Sequence, residues 1–167
     1  MGSGKSTTGR LLAEVLGWRF VDLDEAIELE DGRGIPEIFQ EDGEVGFRRI
    51  EQDLALRFLD EREVVLAPGG GWPCQPGRLD RTGGETLSIW LQVSPEEALD
   101  RVARHGARRP LLEAPDPLAR SKDLLSARET YYSRADWWVD TSGSTPQRVV
   151  DQVMDHLRTD PTRPLRV

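Results

Sequence analysis

The chain of 167 residues is poor in several residue types, and each scarcity argues against a class of protein. It has a single cysteine, Cys74, so an internal disulfide framework is excluded, and no Cys/His cluster has metal-ligand spacing. No stretch approaches the ~20 apolar residues of a membrane span. The net charge is −8 and the basic residues are scattered, which argues against nucleic acid as a partner. These features predict a soluble protein of the reducing cytoplasm, without a membrane partner.

The beginning of the chain carries the second half of a phosphate-binding loop. The segment matches the end of the G-x-x-x-x-G-K-S/T pattern and leads into a helical stretch. Glycines let backbone N–H groups surround an anion, Lys5 neutralises the β- and γ-phosphates, and the Ser6 hydroxyl coordinates Mg²⁺. The predicted phosphate contacts are Gly2, Ser3, Gly4, Lys5, Ser6 and Thr7. A flexible polar tag is the alternative reading of this segment.

The first glycine of the loop pattern would lie upstream of Met1. We therefore expect the natural protein to begin upstream, with a short apolar strand that feeds the loop.

Helical patterns alternate with short apolar strands, which predicts an α/β fold with a parallel sheet and helices on both faces. Strands are expected around Phe20, Val65, Ile89 and Trp138. The first helix should run from Lys5 to Leu16 with Leu11, Leu12, Val15 and Leu16 inward. The pattern covers 1–167 as one domain, with a charged, proline-rich segment at about 105–117 that could hinge as a lid, and a frayed tail at about 159–167.

Further helices are marked by capping and burial patterns. Asp24 is predicted to cap a short helix, and another helix is expected from about Glu44 to Asp60. The segment Ser94-Pro95-Glu96-Glu97 reads as a capping box with proline at the first helical position.

Two carboxylates follow the first predicted strand, at the edge where ligands of an open parallel sheet bind. Asp22 and Asp24 can divide the work there, one holding Mg²⁺ through water and one accepting a hydroxyl proton. The alternative is that Asp22 merely ends the strand and Asp24 merely caps the helix.

Three glycines and an ion pair are candidates for binding a second ligand. Gly69-Gly70-Gly71 follows an apolar strand and lets a ligand approach the backbone closely, unless it is a plain turn. Arg48 and Glu51 lie three residues apart on one helical face, so Glu51 can hold the guanidinium for bidentate capture of a carboxylate. A solvated ion pair is the alternative.

Two residues beside the triple glycine have plainer interpretations. Trp72 either reshapes a pocket wall or packs in the core, and the core is slightly favoured. Cys74 is interpreted as a small buried filler, because no base or metal partner is apparent in the sequence.

Taken in order, these pieces resemble the shikimate kinase family over essentially the whole chain. The resemblance implies a P-loop NTPase-type three-layer fold whose parallel sheet has five strands, four of which have candidates here. It also implies transfer of the γ-phosphate of ATP to the 3-hydroxyl of shikimate, with Mg²⁺ as cofactor, and a monomer is expected. The matching segments are Gly2-Ser3-Gly4-Lys5-Ser6, Asp22-Leu23-Asp24, Gly43-Glu44, Phe47-Arg48-Arg49-Ile50-Glu51, Gly69-Gly70-Gly71, Arg109-Pro110-Leu111-Leu112, and Arg128 with Tyr131 or Tyr132.

The resemblance also implies a role for each matched residue. Asp24 would hold the substrate hydroxyls and act as base, and Lys5 and Arg109 would be the other catalytic residues, with Arg109 reaching the ATP phosphates from the lid. Ser6 and Asp22 would serve the metal. The implied substrate contacts are Asp24, Arg48, Gly69, Gly70, Gly71 and Arg128. Spacing does not decide which of three lid-side arginines also meets the nucleotide: Arg101, Arg104 or Arg108.

Two alternatives share the phosphate loop. One is a kinase for another small hydroxy acid, such as gluconate, which need not use Arg48, Glu51 and the triple glycine. The other is a catalytically impaired module that binds a nucleotide or metabolite.

Overall fold

The computed structural model describes residues 2–82, 84–104 and 114–159. Residues 105–113 of the predicted lid and 160–167 of the predicted tail lie outside the described residues. The helices and strands within these ranges are α1 (Lys5–Leu16), β1 (Arg19–Asp22), α2 (Leu23–Asp31), α3 (Ile35–Leu59), β2 (Val64–Ala67), β3 (Ile89–Gln92), α4 (Pro95–Arg104), α5 (Pro117–Tyr132), β4 (Trp137–Asp140) and α6 (Pro146–Thr159). Among the described helices, none combines the length and the apolar character that crossing a bilayer requires.

All four predicted strands are present and pair in parallel, which confirms the α/β class. β1 pairs with β2, Phe20 lying opposite Val65, and β3 pairs with β4, Trp90 lying opposite Trp138. Parallel partners cannot be joined by a tight turn, and helices supply the crossovers: α2 and α3 between β1 and β2, α4 and α5 between β3 and β4. Across the described residues the strands form two separate two-stranded sheets.

Contacts within the chain divide it into two compact units. One unit comprises Met1–Thr8 with Gly83–Val167, and the other comprises Gly9–Thr82. We call them the phosphate-loop unit and the acceptor unit. That the whole chain works as one kinase domain stays a prediction.

α1 has the predicted bounds but not the predicted inward face. Gly17, at φ +70°, ends the helix in the left-handed conformation that glycine tolerates best. Leu12 and Ala13 are buried, whereas Val15 is 52% exposed, so the inward placement of Val15 was wrong. The reason lies at Gly9, one helical turn before Leu12 and Ala13. A Cβ at Gly9 would come within 2.8 Å of Phe20 Cε2, so α1 approaches β1 closely at this position. The contact face therefore follows Gly9, Leu12 and Ala13, which leaves Val15 off it.

The core of the acceptor unit lies where α2 and α3 pack together. Gly43 interrupts α3 with φ 68° and ψ −176°, so the helix predicted from about Glu44 to Asp60 is the second half of α3. Trp72 is only 3% exposed and belongs to this core, in agreement with the favoured interpretation. The buried residues of this core are Leu23, Ile27, Ile38, Phe47, Leu54, Ala55 and Trp72.

Candidate active site

Two glycines shape the phosphate loop. Gly2 and Gly4 have φ values of +71° and +85°, a conformation that side chains disfavour. A Cβ at Gly2 would also lie 2.4 Å from the carbonyl oxygen of Ala98 on α4, which no side chain could accept without moving backbone. Both positions therefore require glycine, as the loop prediction expected.

The helix that follows the loop begins with the predicted nucleotide contacts. The Thr8 N–H donates to the Gly4 carbonyl at 2.8 Å, so Lys5, Ser6 and Thr7 occupy the first turn of α1. Backbone N–H groups of a first turn have no partner within the helix and favour an anion at its N-terminus. Ser3 stands between the two left-handed glycines. The geometry suits phosphate groups.

Arg101 of α4 secures this loop within the phosphate-loop unit. Its Nη1 lies 3.5 Å from the Gly2 carbonyl oxygen and 3.1 Å from Thr141 Oγ1. Its Nη2 donates to the Thr141 carbonyl at 2.5 Å and to Glu97 Oε1 at 2.8 Å. The sequence indicates Arg101 only as one of three arginines that could contact the nucleotide. Its contacts with Gly2 and Thr141 are not predictable from the sequence, because these residues are far from Arg101 along the chain.

Glu97 completes that network, and this changes the interpretation of the capping box. Ser94 Oγ accepts from the Glu97 N–H at 3.2 Å, as predicted. The Glu97 carboxylate, however, accepts from the Gly143 N–H at 3.0 Å and from Arg101. It is used by these two donors instead of reaching back to the backbone of Ser94. The Gly143 N–H, and then Arg101, lower the pKa of Glu97 below its usual value. The box is thus confirmed in its first half only.

Asp22 ends β1 and Asp24 follows it, and the structure assigns the helix cap to Asp22 instead of Asp24. Asp22 is the N-cap of α2, and its Oδ1 accepts from the Asp24 N–H at 3.1 Å. The expectation that Asp24 is the cap was wrong, because fully buried Leu23 already belongs to the helix. Asp24 therefore stands in the first turn of α2, and its carboxylate faces the triple glycine.

Gly69 brings two carboxylates next to the backbone that follows β2. A Cβ at this position would lie 3.0 Å from Asp24 Oδ1 and 3.4 Å from Glu51 Oε1. Gly71 does the same for a cation, since its Cβ would lie 2.8 Å from Arg48 Nη2. The structure thus brings together Asp24, Arg48, Glu51, Gly69 and Gly71 of the acceptor unit, and the triple glycine is more than a plain turn.

The Arg48–Glu51 pair joins a half-buried guanidinium to a buried carboxylate and is not a solvated surface pair. Arg48 Nη1 donates to Glu51 Oε2 at 2.8 Å, and Glu51 is only 1% exposed. Glu44 adds a looser contact to the other side of the guanidinium, at 3.4 Å. Burial raises the pKa of Glu51, and the neighbouring Arg48 opposes that rise. The guanidinium is therefore held in one orientation, with Gly71 against its open end.

Sequence reasoning missed Arg78 in this site. It is 5% exposed, its Nη2 donates to the Arg48 carbonyl at 3.1 Å, and its Nη1 lies 3.9 Å from Glu51 Oε2. Its guanidinium carbon lies 5.8 Å from the Trp72 ring centroid. Burial lowers the pKa of Arg78, and the attraction of Glu51 opposes this. Arg78 stands in a loop rich in glycine and proline, where no periodicity predicts burial, so the sequence carried no usable signal.

The remaining predicted residues have simpler descriptions. The Gly70 carbonyl accepts from Cys74 Sγ at 3.6 Å, and Cys74 is half-buried, not the buried filler expected. Arg128 lies on α5 of the phosphate-loop unit, and its part in substrate binding stays a prediction. Arg109 lies outside the described residues.

The metal prediction depends on donor chemistry. Over residues 2–82, 84–104 and 114–159, no group of three or more His, Cys, Asp or Glu side chains could hold a metal ion. Mg²⁺ does not need one, because it commonly takes one or two protein oxygens and completes its shell with phosphates and water. A serine hydroxyl at Ser6 and a carboxylate at Asp22 are oxygen donors of that kind.

Comparisons with known proteins point to one family. A model of the family described as shikimate kinase matches residues 1–158. A shikimate kinase of Synechococcus sp. (strain CC9605) is 42% identical over 98% of this chain and 83% of its own length. One from Persephonella marina is 37% identical over 95% of this chain and 94% of its own length. The solved shikimate kinase from Acinetobacter baumannii in complex with shikimate has a TM-score of 0.86 and 33% identity, and the match covers 96% of this chain and 90% of that one. The chain belongs to the shikimate kinase family.

Proposed function

We propose that this chain transfers the γ-phosphate of ATP to the 3-hydroxyl of shikimate, using the residues of its two units as follows. The observation that carries the proposal is the acceptor site: a guanidinium, Arg48, fixed by buried Glu51, in the same cluster as the Asp24 carboxylate. A small acid that carries hydroxyl groups needs both, one cation for its carboxylate and one acceptor for a hydroxyl proton.

On the ATP side, the loop and first turn of α1 hold the phosphates. Gly2, Ser3 and Gly4 offer backbone N–H groups, and Lys5 neutralises charge on the β- and γ-phosphates; Ser6 and Thr7 complete the turn. Ser6 and Asp22 would hold Mg²⁺, and when bound the ion would neutralise phosphate charge.

On the acceptor side, Asp24 takes the proton of the attacking hydroxyl. The hydroxyl oxygen then bonds to the γ-phosphorus while the bond to the β–γ bridging oxygen breaks, which releases ADP. Arg48 binds the shikimate carboxylate, and Gly69, Gly70 and Gly71 let the substrate approach the backbone. Their lack of side chains leaves room for both charged groups.

Two arginines complete the proposal. Arg128 of α5 is a second cation for the shikimate carboxylate. Arg109 delivers positive charge to the transferring phosphate. We also infer that the protein acts as a monomer, which sedimentation at assay concentrations would test.

The test is acceptor preference. Purified protein is incubated with MgATP and either shikimate or gluconate, ADP release is measured, and the product is identified by ³¹P NMR. We expect phosphorylation of shikimate with a kcat/KM far above that for gluconate. Preferential phosphorylation of gluconate would favour the other hydroxy-acid kinase, and ATP binding without turnover on either acid would favour the impaired module.

A further inference from the structure

Arg78 is a buried arginine whose contacts lead to Arg48. A guanidinium that is 5% exposed loses most of its hydration, which is costly unless charged or polar partners replace the water. Only part of that replacement is present. Nη2 has the Arg48 carbonyl, but Nη1 has no hydrogen-bond partner in the described part of the chain. Such a group is retained where its charge serves a purpose.

Arg78 reaches Arg48 by two routes. The first is the hydrogen bond of 3.1 Å from Nη2 to the main-chain carbonyl of Arg48, which ties that turn of α3 to the loop after the triple glycine. The second passes through Glu51, whose Oε2 lies 2.8 Å from Arg48 Nη1 and 3.9 Å from Arg78 Nη1. Arg78 therefore contacts the main chain of Arg48 directly and the side chain of Arg48 through Glu51.

The charges show what the second cation adds. Glu51 by itself neutralises Arg48, and a neutral pair attracts an anion weakly. With Arg78 the three groups carry one net positive charge, which matches the single negative charge of a substrate carboxylate. In a site shielded from water such a charge acts more strongly than at the surface. Asp24 and Asp53 oppose it, and Arg81 adds to it from the edge of the loop.

We propose that Arg78 is a positioning residue for shikimate binding, which holds Glu51 and the Arg48 main chain so that the Arg48 guanidinium faces the shikimate carboxylate. This inference rests on the proposed function. It places no contact between Arg78 and the substrate.

The test uses Arg78→Met, which keeps an unbranched stem and removes the charge, and Arg78→Lys, which keeps the charge and loses the fork. For Arg78→Met we expect shikimate KM to rise by about 10-fold or more, the order of effect expected when a hydrogen bond made by a charged group is lost. We expect kcat within about 3-fold of wild type and an unchanged KM for ATP. Arg78→Lys should restore most of the affinity for shikimate.

Arg81→Met is the matched control, because Arg81 is an exposed arginine of the same loop. Because Arg81 adds its charge only from the exposed edge of the loop, this variant should raise shikimate KM far less than Arg78→Met does. A double substitution then tests the route: if Arg78 acts through Arg48, adding Arg78→Met to Arg48→Met should change shikimate KM no further. Equilibrium binding of shikimate by calorimetry checks that KM reports affinity.

The outcomes separate this inference from the proposed function. A wild-type protein that does not phosphorylate shikimate contradicts the function. An active wild type whose Arg78→Met and Arg78→Lys variants both keep its shikimate KM overturns the role of Arg78, as does an additive effect in the Arg48→Met background. If Arg78→Met does not fold, Arg78→Lys decides: a rise in shikimate KM of about 2-fold to 5-fold, the loss of one modest hydrogen bond, supports the role, and an unchanged KM overturns it.

Discussion

At the scale of single residues, the acceptor site is built from glycines that leave space for charged groups. Gly71 has φ −86° and ψ −20°, so its backbone does not need glycine. Its missing side chain does matter, because a Cβ would lie between 2.8 and 3.2 Å from three atoms of the Arg48 guanidinium. The guanidinium is the far end of a flexible side chain and can move aside. A substitution here should therefore change substrate binding more than folding.

We expect Gly71→Ala to raise shikimate KM by about 10-fold, since a displaced guanidinium weakens one charge-assisted contact. The melting temperature should change little, and KM for ATP should be unaffected. The control is Gly34→Ala in the same unit, where a Cβ would meet ordinary contacts at 3.7 and 3.8 Å. A large fall in melting temperature with an unchanged shikimate KM would contradict the account of Gly71.

Asp24 is the residue with a proposed part in the chemistry itself. We expect Asp24→Asn to lower kcat by about 10²–10⁴-fold, the usual effect of removing a positioned base, while ATP affinity changes little. Steady-state rates with both substrates varied would measure this. Glu25→Gln is the control, because Glu25 is exposed on the same first turn of α2. Near-normal turnover of Asp24→Asn would remove Asp24 from the chemistry.

Residue by residue, the sequence predicted what spacing encodes. A spacing of three residues on a helix predicts that Arg48 lies beside Glu51, and the loop pattern predicts that Lys5 lies at a helix N-terminus. Burial of the pair was not predictable, since the same spacing occurs on solvated helices. Arg78 and Arg101 were missed as structural links because their partners are distant in sequence, and only tertiary contacts reveal them.

At the scale of elements, Asp22 has one observed role and one proposed role that can be separated. It caps α2, and it is the proposed carboxylate for Mg²⁺. Asparagine caps a helix about as well as aspartate but carries no charge, whereas alanine does neither. The two substitutions therefore distinguish a helix cap from a metal ligand.

We expect Asp22→Asn to keep the melting temperature and to raise the Mg²⁺ concentration for half-maximal activity by about 10-fold. Asp22→Ala should raise it similarly and also cost about 1 kcal/mol of stability. Thermal unfolding and Mg²⁺ titration of activity provide the two readouts. If both variants keep the wild-type Mg²⁺ dependence, Asp22 is a cap and nothing more.

Element boundaries followed the sequence where a special backbone residue marks them. Gly17 ends α1 as expected, and Gly43 separates the two helical patterns that the structure joins as α3. The face that an element buries was harder to predict. Val15 has the right spacing to be inward, but close approach of Gly9 to Phe20 sets the contact face of α1. Periodicity predicts the apolar face of a helix, and the neighbouring element decides which residues of that face become buried.

At the scale of the whole molecule, alternation of strands and helices predicted the class and the parallel pairing. It did not predict the two compact units, because a pattern of elements does not state which elements make contacts.

The charge distribution gives another property of the whole chain, its response to acid. Among the residues that the structure describes, these carboxyl groups have lowered pKa values: Asp31, Glu96, Glu97 and Asp140.

These groups link folding to pH in a defined direction. For Glu97 the cause is first the Gly143 N–H and then Arg101. A carboxyl group with a lower pKa in the folded state binds its proton more weakly there than in the unfolded chain. Its contribution to stability is present above the unfolded pKa, near 4 for carboxyl groups, and is lost as pH falls through the folded pKa. Glu51 acts in the opposite sense, because burial raises its pKa, so protonation favours the folded state as pH falls through that raised pKa.

The lowered pKa values of these carboxyl groups predict that the melting temperature falls as pH is lowered below about 4. Glu97→Gln isolates one contribution. Glutamine cannot ionise, so this variant should melt below wild type at pH 7, and the difference should shrink as pH falls through the lowered pKa of Glu97. Glu25→Gln, on an exposed position, should follow wild type throughout. Calorimetric melting of the three proteins between pH 7 and pH 3 measures the difference. A Glu97→Gln deficit that stays constant over this range would show that the network stabilises the fold through geometry alone, and the assigned electrostatic contribution of Glu97 would be wrong.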